Sequence, residues 1–332
     1  MLGLSVSGVS RALNNDSRIS EATKKRVLEA AAAINYQPNR LATGLRRGKS
    51  KLVGVIVPYV DGRFFAVVIK GIERAARAAG FSIIICQSDE DVEHERQNIE
   101  TLLQAQVEGI LVSISLTTRD FAHFAKVQER GVPLVFFDRT LYGHEVDAVV
   151  INDYGGAFAS TTHLIQQGYR RIAHLAGAQH LNIYQQRRLG YLDALQAQGL
   201  PPDEQLIIYC EPITLETGRQ AMEQLLLLPS PPDAVFSASD WALAGALHVL
   251  EQRGQRVPHD LGLAGFSNET FTTLITPKLT SVEQHGEQIG EQAFQLLLRL
   301  RKPDTAAKRQ QLVIEPSLQV RASSQRTLPP SS

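Results

Sequence analysis

Leu52-Val53-Gly54-Val55-Ile56-Val57-Pro58 is an unbroken apolar run closed by proline, and Phe64-Phe65 soon after it opens a stretch with apolar residues at helical spacing. A run this short and β-branched reads as a strand buried on both faces. The alternation repeats along the chain. Strands are expected at 52–57, 82–86, 109–113, 133–137, 148–151, 171–175, 206–209, 234–237 and 261–266, with helices at 65–79, 93–104, 155–167, 187–198, 216–228 and 241–252. Strands and helices in alternation build parallel sheets covered by helices, and this many strands imply two sheets. The predicted class is α/β with two lobes sharing a cleft, where a ligand binds beyond the carboxyl ends of the strands.

The residues that leave those strands are therefore the candidates for binding. They include Pro58-Tyr59-Val60-Asp61-Gly62-Arg63-Phe64-Phe65, Gln87-Ser88-Asp89-Glu90, Asp138-Arg139, Asn152-Asp153 and Ala238-Ser239-Asp240-Trp241. Carboxylates and amides beside aromatic rings suit a polyhydroxylated ligand, because carboxylates accept hydroxyl hydrogen bonds while ring faces cover C–H patches. The alternative is that Ser88-Asp89, Asn152-Asp153 and Ser239-Asp240 cap the helices that follow. Arg63 at the cleft mouth adds a positive charge that would suit an acidic sugar or phosphate, or is simply solvated.

At 332 residues the chain has room for about two domains. An apolar content of 43% with 20% charged residues fits neither disorder nor a fibrous repeat. No window reaches 18 uninterrupted apolar residues, and no basic segment with an apolar h-region opens the chain, so neither membrane nor export is indicated. Cys86 and Cys210 lie in separate β-like runs without a CxxC partner, which argues against a disulfide scaffold or a cysteine zinc site and for a cytoplasmic protein. The nine histidines show no paired metal spacing, and no GxSxG, Walker or GxGxxG motif occurs. No catalytic residue, metal or cofactor is expected.

Charge is unevenly placed. Residues 1–50 carry nine Lys/Arg against three Asp/Glu, a net +6, and the rest of the chain carries −6. A basic head on an acidic body suits a polyanion-binding module, or a solvated basic surface. Ser5 is a candidate N-cap for a short helix over 6–13, whose polar face presents Ser7, Ser10 and Arg11. Ser20 caps a second helix over 21–34, with Val27, Ala30, Ala31 and Ile34 on its apolar face and Lys24, Lys25 and Arg26 starting the polar one. Two such helices form part of a helix-turn-helix. Past Pro38, the stretch Asn39-Arg40-Leu41-Ala42-Thr43-Gly44-Leu45-Arg46-Arg47 is too short and glycine-weakened to stand as a helix alone.

This order of motifs resembles the LacI/GalR family of bacterial transcriptional repressors. In the head the likeness runs through Leu4-Ser5-Val6-Ser7-Gly8-Val9-Ser10-Arg11-Ala12-Leu13-Asn14, Ile19-Ser20, Asn35-Tyr36-Gln37-Pro38-Asn39-Arg40-Leu41-Ala42 and Leu45-Arg46. In the body it includes Gly54-Val55-Ile56-Val57-Pro58, Gly71-Ile72-Glu73, Arg187 with Gly190-Tyr191, Ser239-Asp240-Trp241-Ala242-Leu243-Ala244, Gly265-Phe266 and Pro277-Lys278-Leu279-Thr280-Ser281-Val282. The resemblance implies a periplasmic-binding-protein-like core preceded by a partial helix-turn-helix head and a hinge helix. It divides the chain into a DNA-binding head over 1–37, a hinge over 38–51 and a core over 52–325. Lobe one of that core is about 52–151 and 283–309, and lobe two about 152–282 and 310–325.

By the same resemblance Val6, Ser7, Ser10 and Arg11 contact base edges or phosphates. Asn39, Arg40, Ala42 and Arg46 approach the duplex, and Leu45 wedges into a minor-groove step. Effector contacts map onto Phe65, Ser88, Asp89, Asp138, Asn152, Arg187, Asp240, Phe266 and Gln284. Arg187 and Asp240 would face each other across a sugar-sized gap and grip vicinal hydroxyls, the alternative being a simple salt bridge. The family's first helix would precede Leu4, so the head is expected to be incomplete, leaving Val9, Leu13 and the 27–34 face uncovered. The implied function is a repressor of pseudo-palindromic operator DNA, acting as a homodimer and controlled by a sugar or sugar derivative. The competing reading is a sugar-binding protein of the same core without a DNA role. That reading predicts an export signal and no arginine-rich hinge.

Overall fold

The structure is a computed structural model that describes residues 3–13, 15–34, 50–301 and 309–326. The chain divides into two compact units, Met1–Lys51 and Leu52–Ser332.

In the first unit, helices α1 (Val6–Leu13) and α2 (Glu21–Ala33) pack on each other. Ser5 accepts the Gly8 N–H at 3.1 Å, and Ser20 accepts that of Thr23 at 3.3 Å, so both expected caps are formed. Ala12 and Val27 are buried, Val9 and Leu13 are half-buried, and Leu28 and Ile34 are exposed. The uncovered apolar face is thus narrower than expected, because α1 itself covers Val27. Lys24 departs from its assignment to the polar face. Its stem is buried and its Nζ lies 2.6 Å from Glu21, as a long aliphatic chain allows.

The second unit holds two six-stranded sheets. The first has the order β11-β5-β4-β3-β1-β2, built from β1 (Leu52–Val57), β2 (Ser82–Gln87), β3 (Ile110–Val112), β4 (Leu134–Phe137), β5 (Ala148–Ile151) and β11 (Gln311–Ile314). The second has the order β12-β10-β9-β8-β6-β7, from β6 (Ile172–Ala176), β7 (Ile207–Tyr209), β8 (Ala234–Ser237), β9 (Gly262–Phe266), β10 (Thr280–Glu283) and β12 (Ser317–Gln319). All pairings are parallel except β10 with β12. Both sheets repeat one winding, so in each the strand order reverses beside the first strand, where doubly wound sheets open a ligand crevice.

Helices α3 (Arg63–Ala78), α4 (Val92–Gln104), α5 (Ala125–Glu129), α6 (Asp153–Gln166), α7 (Asn182–Ala197), α8 (Leu215–Leu226), α9 (Asp240–Gln252) and α10 (Gly286–Leu300) connect or cover the strands. Helices α3 and α10 meet through glycine. A Cβ on Gly71 would lie 2.2 Å from the Glu287 carbonyl oxygen, and one on Gly290 would lie 2.1 Å from that of Val68. Only hydrogen at both positions lets the two backbones approach this closely.

The chain passes between lobes after β5, after β10 and between β11 and β12. The third crossing differs from expectation. Residues 311–314 pair in register with Ala148 to Ile151 and so belong to lobe one rather than lobe two. Ser323 and Ser324 are buried, with the Ser323 hydroxyl donating to the Leu263 carbonyl at 2.7 Å. Cys86 and Cys210 are free thiols. Among the described residues no helix is long and apolar enough to cross a membrane.

Candidate functional site

The loops that leave β1, β2, β4, β8, β9 and β10 converge on a cleft of about 690 Å³ between the two sheets. Tyr59, Phe64, Phe65, Tyr184 and Trp241 supply aromatic walls. Tyr59 meets Phe65 edge to face, with ring centroids 5.0 Å apart.

On the lobe-two side the wall is built around Arg187. Its Nε donates to Asp153 Oδ1 at 2.8 Å, its Nη1 to the Ala238 carbonyl at 2.8 Å, and its Nη2 to Gln284 Oε1 at 3.2 Å. Nη2 also lies 2.7 Å from Asp153 Oδ1. The guanidinium sits over the Phe266 ring, 3.6 Å from its centroid, in a cation–π contact. Gln284 passes the chain of bonds on through Nε2 to Ser267 Oγ at 3.0 Å. Burial raises the Asp153 carboxyl above the usual carboxylate range, with Arg187 opposing the shift.

On the lobe-one side Glu90 and Arg139 form the matching pair. Arg139 Nη1 donates to both Glu90 oxygens, at 2.9 and 2.8 Å, and Glu90 Oε2 also accepts the Leu116 N–H at 2.8 Å. Asp138 takes a left-handed backbone, φ 59°, accepts from Ser113 Oγ at 3.3 Å, and is pushed upward in pKa by burial.

The expected site residues separate clearly. Phe65, Asp138, Arg187 and Gln284 line the cleft, and Phe266 lies directly behind Arg187. Ser88, Asp89, Asn152 and Asp240 do not line it. Ser88 is buried and accepts the Ser115 hydroxyl at 2.8 Å. That places it in a polar network around Glu95, whose carboxylate lies 2.7 Å from His123 Nε2. Asp89 points to solvent and Glu90 takes its place. Asn152 caps α6 through the Gly155 N–H at 2.8 Å and reaches Glu315 at 3.0 Å, tying the first and third crossings together.

Asp240 requires the largest correction. Its carboxylate accepts the Ser281 hydroxyl at 2.8 and 2.9 Å and the Glu269 N–H at 2.9 Å, fully buried. It neither faces Arg187 nor pairs with it. Instead it braces the loop 267–269, in which Ser267 and Asn268 have φ of 111° and 49°. Burial pushes its carboxyl up to about 7, with the Glu269 N–H and the Ser281 hydroxyl opposing. The partner of Arg187 is Asp153, the second residue of a doublet whose first was chosen. Adjacent residues leaving a strand point to opposite sides, and only the register distinguishes them.

The braced loop touches the opposite lobe. Arg63 Nη1 donates to the Asn268 carbonyl at 2.8 Å and lies 3.6 Å from Glu283. The Glu269 carboxylate takes the backbone N–H groups of Arg63 and Phe64, the first turn of α3, where a negative charge is stabilised. Arg63 is therefore not simply solvated: partly exposed, it is bonded across the mouth of the cleft.

In the head, Val6, Ser7 and Arg11 are exposed on α1 and Ser10 is half-buried. Asn39, Arg40, Ala42, Leu45 and Arg46 lie outside the described residues.

Residues 50–317 match the family model of periplasmic binding proteins and the sugar binding domain of the LacI family, and residues 2–39 match that of bacterial regulatory proteins of the lacI family. The chain is 34% identical over 297 residues to the HTH-type transcriptional repressor CytR of Escherichia coli K12, covering 89% of this chain and 86% of that one. It is 32% identical over 303 residues to catabolite control protein A of Priestia megaterium, covering 91% and 90%. A solved complex of the transcriptional regulator CelR with cellobiose superposes with a TM-score of 0.76 at 32% identity, covering 97% of each chain.

Proposed function

This chain belongs to the lacI family of bacterial regulatory proteins, and we propose that it is a transcriptional repressor whose hold on operator DNA is set by a sugar or sugar derivative bound between its two lobes. The observation that carries this is the cleft wall at Arg187. A guanidinium fixed on the Phe266 ring by Asp153, the Ala238 carbonyl and Gln284 lines the cleft, and Asp138 opposite offers acceptors. Such preorganised donors and acceptors among aromatic walls suit hydroxyl groups on an apolar frame. Phe65, Asp138, Arg187 and Gln284 are the contacts, and Asp153, Phe266 and Asp240 hold them in place.

The repressor works in the cytoplasm as a homodimer, two heads matching a pseudo-palindromic site. Val6, Ser7 and Arg11 on the exposed face of α1 read the duplex. The net +6 charge of residues 1–50 and the exposed Arg11, Lys25 and Arg26 favour this over a sugar-binding protein without a DNA role. Ligand shifts the operator equilibrium only by its differential affinity for the two arrangements of the lobes. The test is fluorescence anisotropy of the full chain with DNA from upstream of its own gene, titrated with a panel of sugars. Binding that one sugar alters tenfold or more supports the reading. Binding that no panel member alters, or no binding at all, overturns it.

A further inference from the structure

The cleft contains a charge arrangement that the repressor reading leaves unused. Its lining carries two cations, Arg139 and Arg187, and four carboxylates, Asp61, Glu90, Asp138 and Glu269. Both cations are already matched. Arg187 is paired with Asp153 behind the wall, at 2.7 Å. Arg139 is held by Glu90 through both carboxylate oxygens, and its Nε lies 3.9 Å from Asp138. Arg63, at the mouth, is taken by Asn268 and Glu283. An incoming carboxylate or phosphate would find no uncommitted guanidinium here and would meet Asp138 and Glu269 across a partly desolvated space.

Glu90 differs from the other three cleft carboxylates. It is half-buried, hydrogen-bonded through both oxygens to a cleft arginine, and anchored a second time by the Leu116 N–H. Its position over Arg139 is thus fixed from two sides. The Arg139 side chain is itself only 6% exposed, so an incoming group meets its charge after Glu90 has already balanced it. An anion gains little there because the positive charge is already balanced, whereas a neutral hydroxyl needs no such charge.

We propose that Glu90 is the charge-selectivity residue of the cleft: by occupying Arg139 it makes the site one for uncharged polyhydroxyl ligands and closes it to carboxylates and phosphates. This rests on the cleft being the effector site, and the experiment separates the two claims. Calorimetry on the full chain compares neutral sugars with their own uronates and phosphate esters, for example glucose, glucuronate and glucose 6-phosphate. A second arm titrates inorganic phosphate against sodium chloride at matched ionic strength into the wild type, Glu90→Gln, Glu90→Ala and the double variant Glu90→Gln/Arg139→Met. The expected result is a neutral sugar bound at least tenfold more tightly than its anionic derivatives, and a wild type indifferent to phosphate. Phosphate binding should appear in both single variants and be lost in the double variant. A uronate or phosphate ester bound as tightly as its neutral parent, phosphate binding by the wild type, or folded Glu90 variants that stay indifferent to phosphate would each overturn the proposal. If no sugar of any charge binds while the Glu90 variants gain phosphate, charge selection stands and the sugar-effector reading falls.

Discussion

Arg187 and Asp153 share one oxygen: the Nε and Nη2 of the arginine lie 2.8 and 2.7 Å from Asp153 Oδ1, with both side chains almost wholly buried. Asp153 begins α6, directly after the first crossing between lobes, so the pair links the ligand-facing wall to a segment that must bend when the lobes move. Removing only the cation leaves a buried carboxylate without its partner, which costs roughly 3–5 kcal/mol. Arg187→Met should therefore destabilise the core by about that amount in urea unfolding. The loss should be smaller at pH 5 than at pH 8, because the orphaned carboxyl then takes up a proton. Arg187→Met/Asp153→Asn should recover part of it. A single variant within about 1 kcal/mol of wild type would mean that the pair does not hold the wall.

The fold was legible to the extent that periodicity carried it. The first nine strands and eight of the helices fall where apolar runs and helical spacing put them, most within a few residues at their ends. The strands that were missed have weaker signals. Thr280–Glu283 is short and mixed, and Gln311–Ile314 has only three apolar residues, forming a strand because it completes the sheet edge beside β5. In the site, the loops expected from the sequence reach the cleft, Asp138 among them, but in two doublets the neighbouring residue takes the expected place. Asp89 against Glu90 and Asn152 against Asp153 are decided by backbone angle and register, which residue type does not encode. Asp240 was misplaced for another reason. Its partners, Ser281 and the Glu269 N–H, come from distant segments, and no local pattern announces a long-range brace.

Asp240 gives a pH-dependent prediction. Its folded carboxyl titrates near 7 against an ordinary value of 3.8, so between about pH 4 and 7 the folded chain keeps a proton that the unfolded chain has lost. Stability from this group is present at low pH and is lost as pH rises through that window. His174, lowered to about 4 by burial, acts in the opposite direction from pH 4 to 6.5. The comparison is therefore with Asp240→Asn, which removes one titration and leaves the other. The wild-type advantage over Asp240→Asn should shrink as pH rises, by at most about 1.4 kcal/mol per pH unit. A difference that stays constant from pH 4.5 to 7.5 in guanidinium unfolding would show that Asp240 is ionised throughout.

Arg63 joins α3 of one lobe to the Asn268 carbonyl of the other, beside the Glu269 carboxylate on the same helix end. Its side chain is 37% exposed, so the bond is worth little to overall stability, on the order of 1 kcal/mol or less. Its effect on lobe geometry should be larger. Arg63→Ala should leave the melting temperature within about 2–4 °C of wild type while the radius of gyration of the ligand-free chain rises in X-ray scattering. Ligand should reverse that expansion. A variant with an unchanged scattering profile would mean that the other cross-lobe bonds, such as Asn182 Nδ2 to the Asp138 carbonyl at 3.0 Å, suffice to hold the lobes together.

Arg11 sits exposed on α1, and the packing of the two head helices runs instead through Ala12 and Val27. Its loss should leave folding intact and be felt only at the duplex. If the guanidinium meets a phosphate, each such contact releases counterions, and log affinity falls with log salt by about 0.9 per phosphate neutralised. Arg11→Ala should then bind all sequences more weakly and show a salt slope shallower by about 1. If the guanidinium instead reads a guanine edge, the slope should hold, and the variant should lose about 1–3 kcal/mol of discrimination at one base pair. Anisotropy titrations from 50 to 200 mM salt, on an operator and on single-base variants of it, distinguish these outcomes. An Arg11→Ala protein with unaltered affinity, slope and sequence preference would remove α1 from the DNA interface and with it the assignment of Val6 and Ser7 on the same exposed face.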